Sequence, residues 1–247
     1  LERQDLDGFA DAYKESFRFH DENIQMLSWY AERLVQAVQR AGARSLLSLG
    51  IGHSVVSKAI LEKLLSRLEE YVIVEGSPAS IARFEAETPH PKKLRLVNAL
   101  FEEFERPEPF DFIEMGFILE HVDDPEVVLR RFWSALRPGG GLVVVVPNAR
   151  SLHRLFGKAA GLLEDLYRLS PEDLQLGHKR YFDYDSICSL VARAGFRIER
   201  AEGVFLKCLT TGQLQKLRLS PEVLRSFFDV GIQHPQIANA IYLEATR

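Results

Sequence analysis

The sequence predicts a doubly wound α/β domain: a seven-stranded, mostly parallel sheet with helices on both faces and helical segments capping one end. Three observations carry this expectation. Short apolar runs alternate with amphipathic stretches from Ser45 onward, the texture of parallel strands joined by right-handed helical crossovers. One run, Leu142–Val146, is apolar throughout, as a strand covered on both faces should be. Two late runs, Phe196–Leu206 and Ile241–Ala245, follow a series of five and suit an antiparallel pair at one sheet edge.

Residues 8–39 place Phe9, Tyr13, Phe17, Ile24, Leu27, Tyr30, Leu34 and Val38 near helical spacing and predict a helical cap over residues 1–40. The aromatic residues among them, with Phe19 and Trp29, are explained by amphipathic packing more simply than by a roof over a ligand. Ser45–Leu49 predicts the first strand, ended by Gly50-Ile51-Gly52 and followed by an amphipathic stretch to about Leu68. Tyr71–Val74 predicts the second, ended by Glu75-Gly76-Ser77-Pro78, with Pro78 suited to a helix first turn. Leu94–Val97 and Phe110–Met115 are the third and fourth. Asp124-Pro125 starts a helix that runs to Leu136 and stops at Pro138-Gly139-Gly140-Gly141. Beyond the fifth strand, residues 149–177 predict a mobile helical lid. Asp183–Ala194 predicts a helix ended by Gly195, and 213–230 another, inside a second lid segment spanning 207–235. The chain reads as a single domain over 1–247.

Composition narrows the function. With 46% hydrophobic and 27% charged residues among 247, a filled core under a solvated surface is expected. A net charge of -4 argues against broad nucleic-acid binding, where a basic surface supplies the phosphate attraction. The longest apolar run is too short to cross a bilayer, and the charged opening residues are unlike a signal peptide. Two cysteines, Cys188 and Cys208, form no CxxC pair, so no metal site and a reducing cytoplasm are expected.

The strongest chemical signal is strand, Gly50-Ile51-Gly52, helix, and then Glu75 at the end of the next strand. In open α/β sheets ligands sit outside the carboxyl ends of the strands. Glycines there let the backbone approach a ligand closely, and a carboxylate at the second strand end can accept hydrogen bonds from both hydroxyls of a ribose. Glu75 lies 25 residues beyond Gly50, near the roughly 20 typical of nucleoside sites. An ordinary tight turn beside a solvated glutamate is the competing reading, weakened because all four features occur in order. The dinucleotide fingerprint requires a third glycine where Val55 stands, which disfavours NAD.

At this point the chain resembles class I S-adenosylmethionine-dependent methyltransferases, of the group similar to ubiquinone-biosynthesis methylases, over about residues 40–205. The resemblance rests on Leu47-Ser48-Leu49-Gly50-Ile51-Gly52, Val72-Ile73-Val74-Glu75-Gly76-Ser77 and Phe110-Asp111-Phe112-Ile113. Its most specific stretch is Ile118-Leu119-Glu120-His121-Val122-Asp123-Asp124-Pro125, followed by Leu136-Arg137-Pro138-Gly139-Gly140. It implies a Rossmann-like methyltransferase fold with S-adenosyl-L-methionine as cofactor. Gly50, Ile51, Gly52 and His53 would line its methionine and ribose, Glu75 would hold the ribose hydroxyls, and Gly76 and Ser77 would border the adenine. Asn98, Ala99 and Leu100 match the segment at the adenine edge, and Met115 and Gly116 approach from strand four. The chain departs from the pattern at Ser48, where an acid usually opens the glycine motif, at Ser54, where a third glycine is usual, and at Asn98, where aspartate is common.

Methyl transfer from a sulfonium is an in-line displacement that needs nucleophile and methyl held collinear. A phenol, hydroxyl or ammonium acceptor also needs a base, a role that suits histidine. His121 and His178 are the candidate bases, the second within Gly177-His178-Lys179-Arg180-Tyr181-Phe182. That segment resembles a Gly-His-x-Arg stretch of methyltransferases from surface-sugar and secondary-metabolite pathways. Arg180 is a candidate anchor, and His153 and Tyr181 are candidate acceptor-pocket residues. Loop bracing by His121, a helix-entry turn around His178 and capping by His153 are the plainer readings. The expected enzyme is an O- or N-methyltransferase of a small molecule. A binding or regulatory module without turnover, favoured by Ser48, Ser54 and Asn98, is the alternative, and an NAD-dependent oxidoreductase a weaker one.

Overall fold

A computed structural model describes residues 6–8 and 17–247. Phe9 and Tyr13, expected on the first helix, lie outside the described residues. The strands are β1 (Ser45–Leu49), β2 (Glu70–Glu75), β3 (Leu94–Asn98), β4 (Phe110–Gly116), β5 (Leu136–Pro147), β6 (Arg197–Val204) and β7 (Ala240–Thr246). They form one sheet in the order β3-β2-β1-β4-β5-β7-β6. β7 runs antiparallel to both of its neighbours, β5 and β6, and the other pairings are parallel. The strand order reverses between β1 and β4, which opens a crevice at their carboxyl ends.

The helices among the described residues are α1 (His20–Arg40), α2 (Val55–Lys63), α3 (Pro78–Glu87), α4 (Pro125–Ala135), α5 (Leu152–Ala159), α6 (Pro171–Gln175), α7 (Tyr184–Arg193), α8 (Thr211–Leu217) and α9 (Pro221–Gly231). Alternation along each strand sends neighbouring side chains to opposite faces. Leu47, Leu49, Val144 and Val146 pack with Phe132 of α4 and Ile187 of α7. Leu46, Val143 and Val145 pack on the other face with Leu34 of α1 and Ile60 of α2. Each buried Val or Leu contributes roughly 1.5–3 kcal/mol, so the unbroken apolar run of β5 fixes the centre of the sheet.

Proline marks several helix starts, as expected where the first-turn N–H groups have no partner within the helix. Asp124 caps α4 by accepting from the amides of Glu126 (2.9 Å) and Val127 (3.1 Å), with Pro125 next in the chain. Ser77 caps α3 in the same way, accepting from Ser80 at 3.1 Å, ahead of Pro78.

Several expected boundaries move. The helix expected over 8–39 starts at His20, so Phe17 and Phe19 precede it. The segment 149–177 is helical only in α5 and α6, because Gly161, at φ +72°, ends the first. The helix expected over 213–230 is two, since Ser220-Pro221 begins a new one and Arg218 sits at φ +48°. β5 begins at Leu136, six residues before the apolar run, and the glycine-rich stretch is absorbed as an irregularity opposite Phe110 and Phe112.

Candidate functional site

The tips of β1 and β2 build the core of the site. β1 continues into the turn through Gly50, whose amide donates to the Val74 carbonyl at 2.8 Å. Gly50 and Gly52 have φ of +79° and +52°, a region that costs other residues about 1–2 kcal/mol. Ser54, where a third glycine is usual, adopts φ +63°, and its side chain makes no cap hydrogen bond to α2.

The Glu75 carboxylate bridges this turn to the start of α3. Its Oε2 accepts from the Ile51 amide at 3.0 Å and its Oε1 from the Ser77 amide at 2.8 Å. Burial raises its pKa, and those two amides oppose the shift. Two of roughly four acceptor positions on the carboxylate are thereby used. The Arg83 guanidinium donates to the Gly52 carbonyl at 2.7 Å and holds the far side of the turn.

Before these strand tips lies a cavity of about 960 Å³, at the upper end of the roughly 300–1,000 Å³ usual for ligand pockets. Gly50, Ile51, Gly52, His53, Glu75, Gly76 and Ser77 line it, as do Ala99, Leu100 and Gly116. Asn98 does not line the cavity; its amide donates to the carbonyls of Glu75 (3.0 Å) and Gly76 (3.1 Å) and so braces the β2 tip. Met115 is fully buried in the core, because the β4 pleat turns it away from the crevice. Gly116 is required by packing, since a Cβ there would stand 2.3 Å from the Tyr30 ring.

The motif acid's position, Ser48, is buried and bonds the Tyr71 hydroxyl at 3.0 Å. Directly across, in register on β4, is Glu114, which lines the cavity. Glu114 accepts from the Tyr30 hydroxyl (2.7 Å) and the Gly116 amide (3.0 Å). Burial pushes its carboxyl up to about 7. Sequence reasoning missed this residue, although an acid inside the apolar run of β4 was a legible signal.

Of the candidate catalytic and acceptor residues, His121, His153, His178 and Tyr181 line the cavity. The rings of His121 and His178 meet edge to face at 4.8 Å between centroids. Burial, reinforced by the His178 charge, lowers the pKa of His121 to about 3. His178 Nδ1 lies 3.3 Å from Asp173 Oδ1. Burial raises the Asp173 pKa, but His178 and the Ser170 amide outweigh it and hold the carboxyl at about 2. The Tyr181 hydroxyl donates to the same carboxylate, at 3.0 Å from Oδ1. Arg180 is not on the cavity wall. Its guanidinium donates to the Asp123 carbonyl at 3.0 Å, so it braces the turn before α4 instead of anchoring an acceptor.

A second group on the wall was invisible in the sequence because its members are far apart in the chain. Lys207 is paired with Glu22 and lies 2.9 Å from the Thr211 hydroxyl, which donates to Glu22 at 2.7 Å. Burial lowers the Lys207 pKa, against the pull of Glu22. His153 is held neutral beside this group, at about 3, by burial and the Lys207 charge.

The sheet order, the antiparallel β7 and the glycine turn at the crevice define a Rossmann-like methyltransferase fold. The chain belongs to the family described as a methyltransferase domain, whose model matches residues 26–201, and so to the S-adenosylmethionine-dependent methyltransferases. A ubiquinone biosynthesis O-methyltransferase from Pseudomonas fluorescens is 28% identical over 147 residues, which are 59% of this chain and 60% of that relative. The chain thus matches little more than half the length of that relative. An S-adenosylmethionine-dependent methyltransferase from Mesorhizobium loti has a similar fold, with TM-score 0.57, 19% identity and coverage of 86% and 96% of the two chains. The N-methyltransferase NodS from Bradyrhizobium japonicum, in complex with S-adenosyl-L-homocysteine, superposes with TM-score 0.59 at 11% identity, over 99% and 98%. No helix among the described residues is long and apolar enough to cross a membrane.

Proposed function

We propose that this chain transfers a methyl group from S-adenosylmethionine to an oxygen or nitrogen of a small acceptor held in the same cavity. One observation carries this reading: the Glu75 carboxylate, pinned by the Ile51 and Ser77 amides, faces a cavity that continues past two histidines. Glu75 would receive both ribose hydroxyls on its unused acceptor positions. Gly50, Ile51, Gly52 and His53 would lie along the ribose and methionine, and Gly76, Ser77, Ala99 and Leu100 along the adenine. When bound, the cofactor supplies an electrophilic methyl on a sulfonium.

The remaining work falls to this chain's own groups. His178 would take the acceptor's proton, with Asp173 beside its Nδ1 to set the ring. His121, neutral at physiological pH because its pKa is near 3, would accept a hydrogen bond from the acceptor. His153 and the Glu22–Lys207–Thr211 group would select polar features of the acceptor at another wall. The caps from α1, α5, α6 and α8 would keep water from the reacting atoms.

The test is a methyl-transfer assay with labelled S-adenosylmethionine against a panel of hydroxyl and amino acceptors, including phenols and sugars. Label on an acceptor, reduced severalfold or more in His178→Ala, supports the proposal. Tight binding of S-adenosylhomocysteine without transfer to any acceptor would favour a binding module in its place.

A further inference from the structure

Glu120, His121 and His178 meet behind the cavity wall from two chain segments, the turn after β4 and the turn after α6. Atoms of all three suited to ligate a metal lie within 4.8 Å of one another. Glu120 is 0% exposed, and neither of its carboxylate oxygens has a hydrogen-bond partner among the described residues. A buried carboxylate without partners costs several kcal/mol, so buried acids are normally hydrogen-bonded, paired with a cation or bound to a metal. Lys179 pairs with Asp123, and Arg180 donates through Nη2 to the Asp123 carbonyl while its Nη1 has no hydrogen-bond partner among the described residues, so neither cation is hydrogen-bonded to Glu120.

Two imidazoles and a carboxylate make a familiar donor set for a divalent transition ion. The surroundings also fit. A ligating histidine ordinarily has a carboxylate or carbonyl at its other ring nitrogen, which fixes the ring. Asp173 stands in that place, 3.3 Å from His178 Nδ1, and is itself held by the Ser170 amide at 2.7 Å and the Tyr181 hydroxyl. His121 and His178 line the cavity and Glu120 does not, so the open coordination positions of an ion here would face the cavity.

We propose that Glu120, His121 and His178 bind one divalent transition-metal ion of the zinc or manganese class. The expectation of a metal-free site drew on cysteine spacing, which does not register ligands from residues as far apart as His121 and His178. The methyltransferase reading enters in one respect, by naming a hydroxyl oxygen of the acceptor as the group that fills the open positions. A ligating His178 nitrogen cannot also accept a proton. With an ion bound, its charge would acidify the acceptor hydroxyl, whose proton would pass to water in the cavity; the base role of His178 and the acceptor contact of His121 described above belong to the metal-free site.

The experiment titrates the full chain, stripped with a chelator, with Co²⁺ followed by its visible absorption, and then displaces it with Zn²⁺. S-adenosylhomocysteine binding is measured calorimetrically on the same samples. The expected result is about one Co²⁺ per chain, with affinity falling about 100-fold or more in His178→Ala and in Glu120→Gln, at or beyond the loss seen when outer groups of metal sites are removed. His153→Ala, on the same cavity but outside the cluster, keeps its Co²⁺ affinity. If Glu120→Gln does not fold, His121→Asn carries the same comparison. Absence of Co²⁺ and Zn²⁺ binding, or equal affinity in the cluster variants, overturns the proposal. Failure of the unaltered chain to bind S-adenosylhomocysteine would overturn the methyltransferase reading instead and leave the metal result standing.

Discussion

Replacing Glu75 perturbs cofactor binding in a way the geometry makes quantitative. The carboxylate has two tasks: it accepts the Ile51 and Ser77 amides at 3.0 and 2.8 Å, and it offers its remaining lone pairs to the ribose. Hydrogen bonds to a charged group contribute about 1.5–3 kcal/mol each, and 1.4 kcal/mol is about tenfold in affinity. Glu75→Ala should therefore weaken S-adenosylhomocysteine binding by at least about tenfold, and by about 100-fold or more if both ribose bonds are lost. Glu75→Gln is the sharper case. Each carboxylate oxygen already faces an N–H donor, so the glutamine NH₂ must confront one of them. Glutamine should then bind the nucleoside no better than alanine does. Isothermal titration, with circular dichroism to confirm folding, reads both. A folded Glu75→Ala variant with an unchanged dissociation constant would refute the reasoning and remove Glu75 from the site.

Other outcomes follow from particular contacts. Glu114 has its carboxyl raised to about 7 by burial, so the folded state holds this proton more tightly than the unfolded chain. Its contribution to stability is full below about pH 4.5 and is lost as pH rises through 7, on the order of 3 kcal/mol in total. Urea unfolding at about pH 5 and pH 8 should show Glu114→Gln losing less stability across that range than the unaltered chain; parallel losses would exclude Glu114 as the source. Ser54→Gly, at φ +63°, should raise stability by up to about 1 kcal/mol by relieving left-handed strain, seen as a higher Tm. Gly116→Ala drives a Cβ to 2.3 Å from the Tyr30 ring and should cost about 1–3 kcal/mol of stability; an unchanged melt would contradict that packing. His178→Ala should lower turnover while leaving cofactor affinity nearly intact, and surviving turnover would place proton removal elsewhere.

Much of the sheet was legible because burial on both faces leaves an unmistakable apolar run, as at Val143–Val146. Helix starts were legible where a capping side chain precedes proline, as at Asp124-Pro125 and Ser77-Pro78. The same signal is hidden at Ser220-Pro221, a capped helix start across which the apolar spacing continues. The cofactor end of the cavity could be anticipated because its residues lie on consecutive strand tips, which chain order preserves. The acceptor wall could not. Glu22, Lys207 and Thr211 meet only through the packing of α1 against the segment after β6, and no local pattern records that. Arg180 shows the opposite limit. A motif placed it beside His178, but neighbours in a turn point to different sides, and its guanidinium reaches Asp123 instead.

A crystal structure with S-adenosylhomocysteine would examine the main claim most directly. The nucleoside is expected to lie over Gly50–Gly52, with both ribose hydroxyls within hydrogen-bond reach of the Glu75 carboxylate. A nucleoside seated elsewhere, or ribose hydroxyls turned away from Glu75, would contradict it.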